Sequence, residues 1–252
     1  SLAMSGAWAD AKSEYNVAIG SNTMIGVLNE ALYNVGIGHS ALSDLTSGES
    51  NVAIGGHALE NNTSGVANIA IGSWDSSTYQ APMTSNSVGS FNIAIGSGAL
   101  RLANENDNDG SVGIGYGALN NQAGTGGAQF ANATVGIGYK ALTALTTGVA
   151  NTAVGYQSGA SLVDGNQNSI FGYNAGYSLT EGIGNTAVGY GALYGEDDGD
   201  YNTAVGYAAL NSQTGVSGAV RNTALGYKAG YAVTTGVRNV IIGTDAAVGM
   251  QD

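Results

Sequence analysis

The chain has 252 residues, of which 42 are glycine, one is proline and none is cysteine, and it carries a formal net charge of −12. Without cysteine there is no disulfide, thiolate nucleophile or cysteine zinc site, and the six basic residues (Lys12, Arg101, Lys140, Arg221, Lys228 and Arg238) are too scattered to form a nucleic-acid-binding stripe. A hydrophobic share of 43% rules out a disordered chain, while no apolar run approaches the ~20 residues that span a bilayer, so neither nucleic-acid binding nor membrane insertion is expected.

Residues 1–15 read as an N-terminal cap or linker, without the basic and apolar regions of a signal peptide. From Asn16 onward one motif dominates: Asn, a variable residue, a small residue, a large aliphatic, then glycine. It appears as NVAIG at Asn16 and Asn51, NVGIG at Asn34, and NIAIG at Asn68 and Asn92. It continues as SVGIG at Ser111 and TVGIG at Thr134, then NTAVG at Asn151, Asn185 and Asn202. NSIFG at Asn168, NTALG at Asn222 and NVIIG at Asn239 complete thirteen copies. Seven of the twelve intervals between starts are 17 residues, and the longer ones carry insertions.

A unit this short cannot hold a helical pair, and glycine at every fifth position forbids a stable helix. Two short β-like runs, xAIG and YxAL, fit instead. The predicted fold is all-β, a parallel β-solenoid of about 13 coils with a 17-residue repeat, occupying residues 16–252 as a single domain. Stacked at ~4.8 Å, the coils would make a rod on the order of 60 Å long.

Within a unit, the always-apolar fourth position (Ile19, Ile37, Ile54 and onward to Leu225 and Ile242) is expected to face the interior. An aspartate at Ile137 would then bury an unpaired charge. The fifth glycine marks a corner, and the Asn column is expected to form a hydrogen-bonded ladder along the axis. Tyrosines at the sixth position (Tyr116, Tyr139, Tyr156, Tyr173, Tyr190, Tyr207 and Tyr227) should stack as an aromatic ladder. Such a ladder serves as mutual packing, as a subunit contact or as a carbohydrate-facing platform. A coil with so few large apolar residues buries little area against the entropy of ordering it. Burial between copies is the remedy, with small third and fifth residues permitting close approach.

Insertions give longer loops at roughly Ser76–Phe91, Arg101–Gly110, Asn120–Ala133 and Asn211–Arg221. The first brings Tyr79, Met83 and Phe91 close to Trp74, an aromatic and apolar set that makes these four residues the candidates for receptor binding. Two acidic stretches, 104–110 and 196–200, offer the oxygen ligands that calcium prefers. Asp107, Asp109, Asp197 and Asp198 are the weak metal candidates there, and solvated turns account for the same residues without an ion. The G-x-G-x-x-A matches at Gly36, Gly113 and Gly136 recur as part of the repeat and lack the following helix that dinucleotide binding needs. His39 and His57 sit at the sixth and seventh positions of adjacent coils, so strand alternation would point them to opposite faces. No cofactor is implied, no catalytic set clusters, and an enzyme is not expected.

The repeats NTAVGYGAL at 185–193, NTAVGYAAL at 202–210 and NTALGYKAGYAVTTG at 222–236 resemble the arrays of phage tail-fibre-like proteins. The NxAIG units are similar to the head β-roll of trimeric autotransporter adhesins. The resemblance implies a left-handed parallel roll, assembly as a parallel homotrimer, and a place on a virion tail fibre or at the cell surface. It further implies binding of a host cell-surface glycan or protein, which the inserted loops would carry. The 17-residue unit is longer than the adhesin-head repeat, and no coiled-coil stalk, membrane anchor or chaperone domain is expected within these residues. A passive spacer rod is the alternative; ice binding would want regular Thr-x-Thr columns, which are not evident.

Overall fold

The computed structural model describes residues 12–74, 80–102, 109–122, 133–214 and 217–249. All regular structure among them is β, and no helix there is long and apolar enough to cross a membrane. The coils fall into two compact units, residues 1–133 and 134–252. In the first lie β1 (Val17–Ile19), β2 (Val35–Ile37), β3 (Val52–Ile54), β4 (Ile69–Ile71), β5 (Ile93–Ile95) and β6 (Val112–Ile114). The second begins with β7 (Val135–Ile137), β8 (Thr152–Val154), β9 (Ser169–Phe171) and β10 (Thr186–Val188). It continues with β11 (Gly199–Asp200), β12 (Thr203–Val205), β13 (Gly218–Ala219), β14 (Thr223–Leu225) and β15 (Val240–Ile242).

Within each unit the three-residue strands pair in parallel with each motif residue opposite its equivalent, as in Val35↔Val52 and Thr186↔Thr203. One repeat is therefore one coil of a parallel β-solenoid. The second β-like run, however, is not a strand. Ser40 and Leu42, Lys140 and Leu142, and Ala208 and Leu210 all have φ between 48° and 55°. Left-handed residues at the seventh and ninth positions curl this run into a turn. It still bonds from coil to coil, for example Leu42 N–H to the Ala58 carbonyl at 3.1 Å.

The expectation for the fourth column is overturned. Ile19 is 58% exposed, Leu225 49% and Ile242 66%, and this column faces outward with the second. The small third residue points inward instead: Ala53, Ala70, Ala94, Ala153, Ala187, Ala204 and Ala224 are fully buried. The strand period of two forces a choice between the third residue and its two neighbours. The coil is too thin to take the large pair, because its volume is already filled from the other side. Leu42, Leu59, Leu100, Leu142 and Leu193 at the ninth position, with Leu45, Leu145, Leu162 and Leu179 at the twelfth, occupy that space.

Volume is traded across the core. Where Ile170 replaces alanine at the third position, glycines stand at the ninth position of its own and the preceding coil. A Cβ on Gly159 would lie 3.0 Å from Ile170 Cδ1, and one on Gly176 3.3 Å from it. Conversely, Met24 fills the space over Gly36, whose added Cβ would lie 3.0 Å from Met24 Cε. This is the close packing expected of an interior without voids.

The asparagine ladder forms as expected. In a typical rung Asn168 Nδ2 donates to Asn151 Oδ1 at 3.0 Å and to the Gly182 carbonyl at 2.7 Å, while the Asn168 N–H donates to the same Asn151 oxygen at 2.9 Å. The pattern repeats in the first unit from Asn16 through Asn34, Asn51 and Asn68 to Asn92.

Candidate functional site

Apart from the outward sheet columns, the feature with most chemistry lies at the corner that leaves the strand. His57, at the seventh position, has φ 63° and so breaks the strand alternation. Its ring therefore does not point away from His39: the two centroids are 5.1 Å apart, edge to face. That corrects the expectation of opposite faces, because period-two reasoning ends where the strand ends. His57 Nδ1 donates to Glu60 Oε2 at 3.0 Å, and its ring stands at 87° to the Trp74 indole with centroids 5.3 Å apart.

The Trp74 N–H donates to the Gly56 carbonyl at 3.3 Å, and the Gln80 carbonyl accepts from the Gly98 N–H at 2.7 Å, so both residues bond to a neighbouring coil. Beside these two residues lies a cleft of about 240 Å³, lined by His57, Glu60, Trp74, Gln80, Ala81 and Thr84. Trp74 is 53% exposed. Thr84 is buried, and its Oγ1 donates to the Ala81 carbonyl at 2.5 Å, which fixes the cleft floor.

Of the receptor-binding candidates among the described residues, only Trp74 belongs to this cleft. Met83 is fully buried, occupying the ninth-position slot of the core. Residues 80–90 resume the coil, with Ala81, Met83 and Asn86 in its interior, so the expected loop Ser76–Phe91 is far shorter than its sequence suggested. Phe91 is 63% exposed but stands at the opposite corner, just before β5, with φ 61°. Tyr79 lies outside the described residues. His57, Glu60, Gln80 and Thr84 had not been singled out as a group. Only the three-residue spacing of His57 and Glu60 hinted at a pair, and nothing local marked Gln80.

The acidic candidates among the described residues accept hydrogen bonds, two of them from the preceding coil. Asp109 Oδ1 accepts from the Ser90 N–H at 2.7 Å, and Asp198 Oδ1 accepts from Thr180 Oγ1 at 2.6 Å. Asp197 Oδ1 accepts from the Asp198 N–H at 3.0 Å. Asp107 lies outside the described residues, among which no group of three His, Cys, Asp or Glu side chains could hold a metal.

The tyrosine ladder is continuous from Tyr139 to Tyr227, with successive centroids 4.8 to 5.3 Å apart. Because each ring lies flat on the next, ring faces inside the stack are covered and only edges meet solvent. A carbohydrate platform built on those faces is thus ruled out for the interior rungs.

Comparison with protein-family models, curated proteins and solved structures finds no match. The site is therefore read from its own geometry.

One buried group has a measurable consequence. Glu196 is fully buried at the twelfth position, the column that holds Leu145, Leu162 and Leu179 in the three preceding coils. Its Oε1 accepts from the Gly199 N–H at 2.8 Å and its Oε2 from Gln213 Nε2; Gln213 Oε1 in turn accepts from Asn222 Nδ2 at 2.9 Å. Burial pushes the Glu196 carboxyl above its usual range, against the lowering effect of the Gln213 and Gly199 hydrogen bonds, and the neighbouring Asp197 charge adds to the rise. A carboxyl whose folded pKa exceeds its unfolded value binds its proton more tightly when folded, so its contribution to stability is lost as pH rises through that interval. Urea unfolding followed from about pH 4 to about pH 8 should show this loss in the wild type, and Glu196→Gln should flatten it. Identical pH profiles for the two proteins would show that Glu196 titrates normally.

Proposed function

We propose that the chain is a structural and adhesive fibre segment, working extracellularly or on a virion as a parallel homotrimer and meeting a host cell-surface glycan or protein through its corner insertions. The observation that carries the reading is the outward sheet face. Its fourth column is Ile, Val, Leu or Phe in every coil, and its second is Val or Ile as far as Val135, then Thr or Ser up to Thr223 and Val again at Val240. No charged residue interrupts either column.

An exposed apolar column of this kind within each unit is what an interface presents before it is covered. The partner must match rungs spaced at ~4.8 Å over many coils, and a second copy does so by construction. The resemblance to tail-fibre-like and adhesin repeats supplies the number three and the parallel arrangement. The small third and fifth residues do not contribute to such an interface. The third faces the chain's own core, and the fifth touches the next coil.

Sedimentation of the native protein should give a trimer mass. Ile54→Asp, together with Ile137→Asp, should yield monomers that keep the wild-type far-UV spectrum, because these side chains leave the coil interior untouched. A wild type that sediments as a monomer would overturn the assembly.

A further inference from the structure

Resting on the reading of the chain as a fibre segment with binding corners, we propose that the Trp74 cleft is a saccharide site that takes a single neutral pyranose ring. Four properties of the cleft point to that ligand class.

An exposed indole offers an apolar, amphipathic surface that suits the C–H face of a sugar. Here the indole is held rather than loose: the His57 ring abuts it edge-on, and His57 is itself tethered to Glu60. A side chain fixed before binding spares the entropy of ordering it on contact. Beside the indole, the cleft lining includes hydrogen-bonding groups of both kinds. Glu60 accepts, and Gln80 both donates and accepts. Vicinal hydroxyls, each donor and acceptor at once, match such a mixed set better than an apolar side chain or a simple ion does.

Size and charge narrow the class further. About 240 Å³ is below the usual range of pockets for drug-sized ligands, so one ring enters and the remainder of a glycan stays outside. The Glu60 carboxylate at the cleft and the net charge of −12 disfavour sialylated, sulfated or phosphorylated sugars. The lining residues occupy the sixth to tenth positions of their coils, away from the outward second and fourth columns. Coverage of the sheet face by other copies would therefore leave the cleft open.

The test uses the whole chain, titrated with the methyl glycosides of galactose, glucose, mannose and N-acetylglucosamine, and with methyl N-acetylneuraminide as the anionic comparison. Binding is read by tryptophan fluorescence and by calorimetry. The expected result is saturable binding of at least one neutral glycoside and none of the anionic one. Trp74→Ala and Glu60→Gln should each weaken that binding by about tenfold or more, with melting temperatures unchanged because both side chains lie at the surface. Failure of all four neutral glycosides, equal affinity in Trp74→Ala, or preference for the anionic sugar would each overturn the proposal. Sedimentation of the same samples separates the two ideas. A monomer that binds sugar sinks the assembly and keeps the cleft, and a trimer that binds none does the reverse.

Discussion

Gly155→Ala should destabilise the second unit by on the order of 4 kcal/mol, the scale that strain at a special backbone conformation can reach. Gly155 has φ 141°, a conformation that residues with a side chain rarely adopt, and a Cβ there would sit 2.3 Å from the Gly172 carbonyl oxygen of the next coil. That neighbour is backbone, so it cannot rotate away. Relief requires the coils to separate, which breaks the strand pairing of Thr152–Val154 with Ser169–Phe171. Gly191→Ala is the control. Gly191 also has positive φ, 58°, but the nearest contact for its Cβ is a side-chain nitrogen of Asn211 at 3.3 Å. Its equivalents Ser40, Lys140 and Gln157 already hold side chains in that conformation. Urea denaturation should therefore shift strongly for Gly155→Ala and weakly for Gly191→Ala. Similar midpoints for the two variants would mean that the corner tolerates a side chain and that the coil spacing is adjustable.

Asn168→Ala should cost on the order of 3–6 kcal/mol, because it orphans several groups at once, each at about 1–3 kcal/mol when buried. The N–H and Nδ2 of Asn185 lose their shared acceptor, Asn168 Oδ1, and the Gly182 carbonyl loses its Nδ2 donor. Both asparagines are buried, so water cannot replace the lost partners without opening the coil. Asn168→Asp tests the same rung by another route. It preserves the shape but turns the donor toward Gly182 into an acceptor and buries a charge, so its cost should exceed that of alanine at neutral pH. Thermal unfolding by circular dichroism reads both. A loss below 1 kcal/mol for Asn168→Ala would mean that the rung is not a stabilising element, whatever its geometry.

These two columns show what could be read along the chain. Glycine at the fifth position and asparagine at the first are dictated by backbone constraints that act within one coil and between equivalent residues of the next. Such constraints repeat with the motif, and the 17-residue register, the parallel stacking and the tyrosine ladder follow from the same periodicity. Each of these is a property of identical residues meeting identical residues.

Facing was different. Alternation requires the third residue to oppose the second and fourth, but which side is inside depends on the space left by the rest of the coil. Leu42 and Leu45 and their equivalents fill that space from left-handed turns that a period-two pattern does not reveal, so alanine goes in and isoleucine goes out. The loop expected at Ser76–Phe91 was misjudged for a related reason. Met83 looks like a loop residue in a long interval, yet the coil resumes before it and claims its side chain for the core. Sequence by itself determined the repeat, the solenoid and the rungs, because these rest on local geometry copied from coil to coil. Only the tertiary structure decided which face is bare and which side chains share the Trp74 cleft, because both depend on how unlike residues compete for volume at a corner.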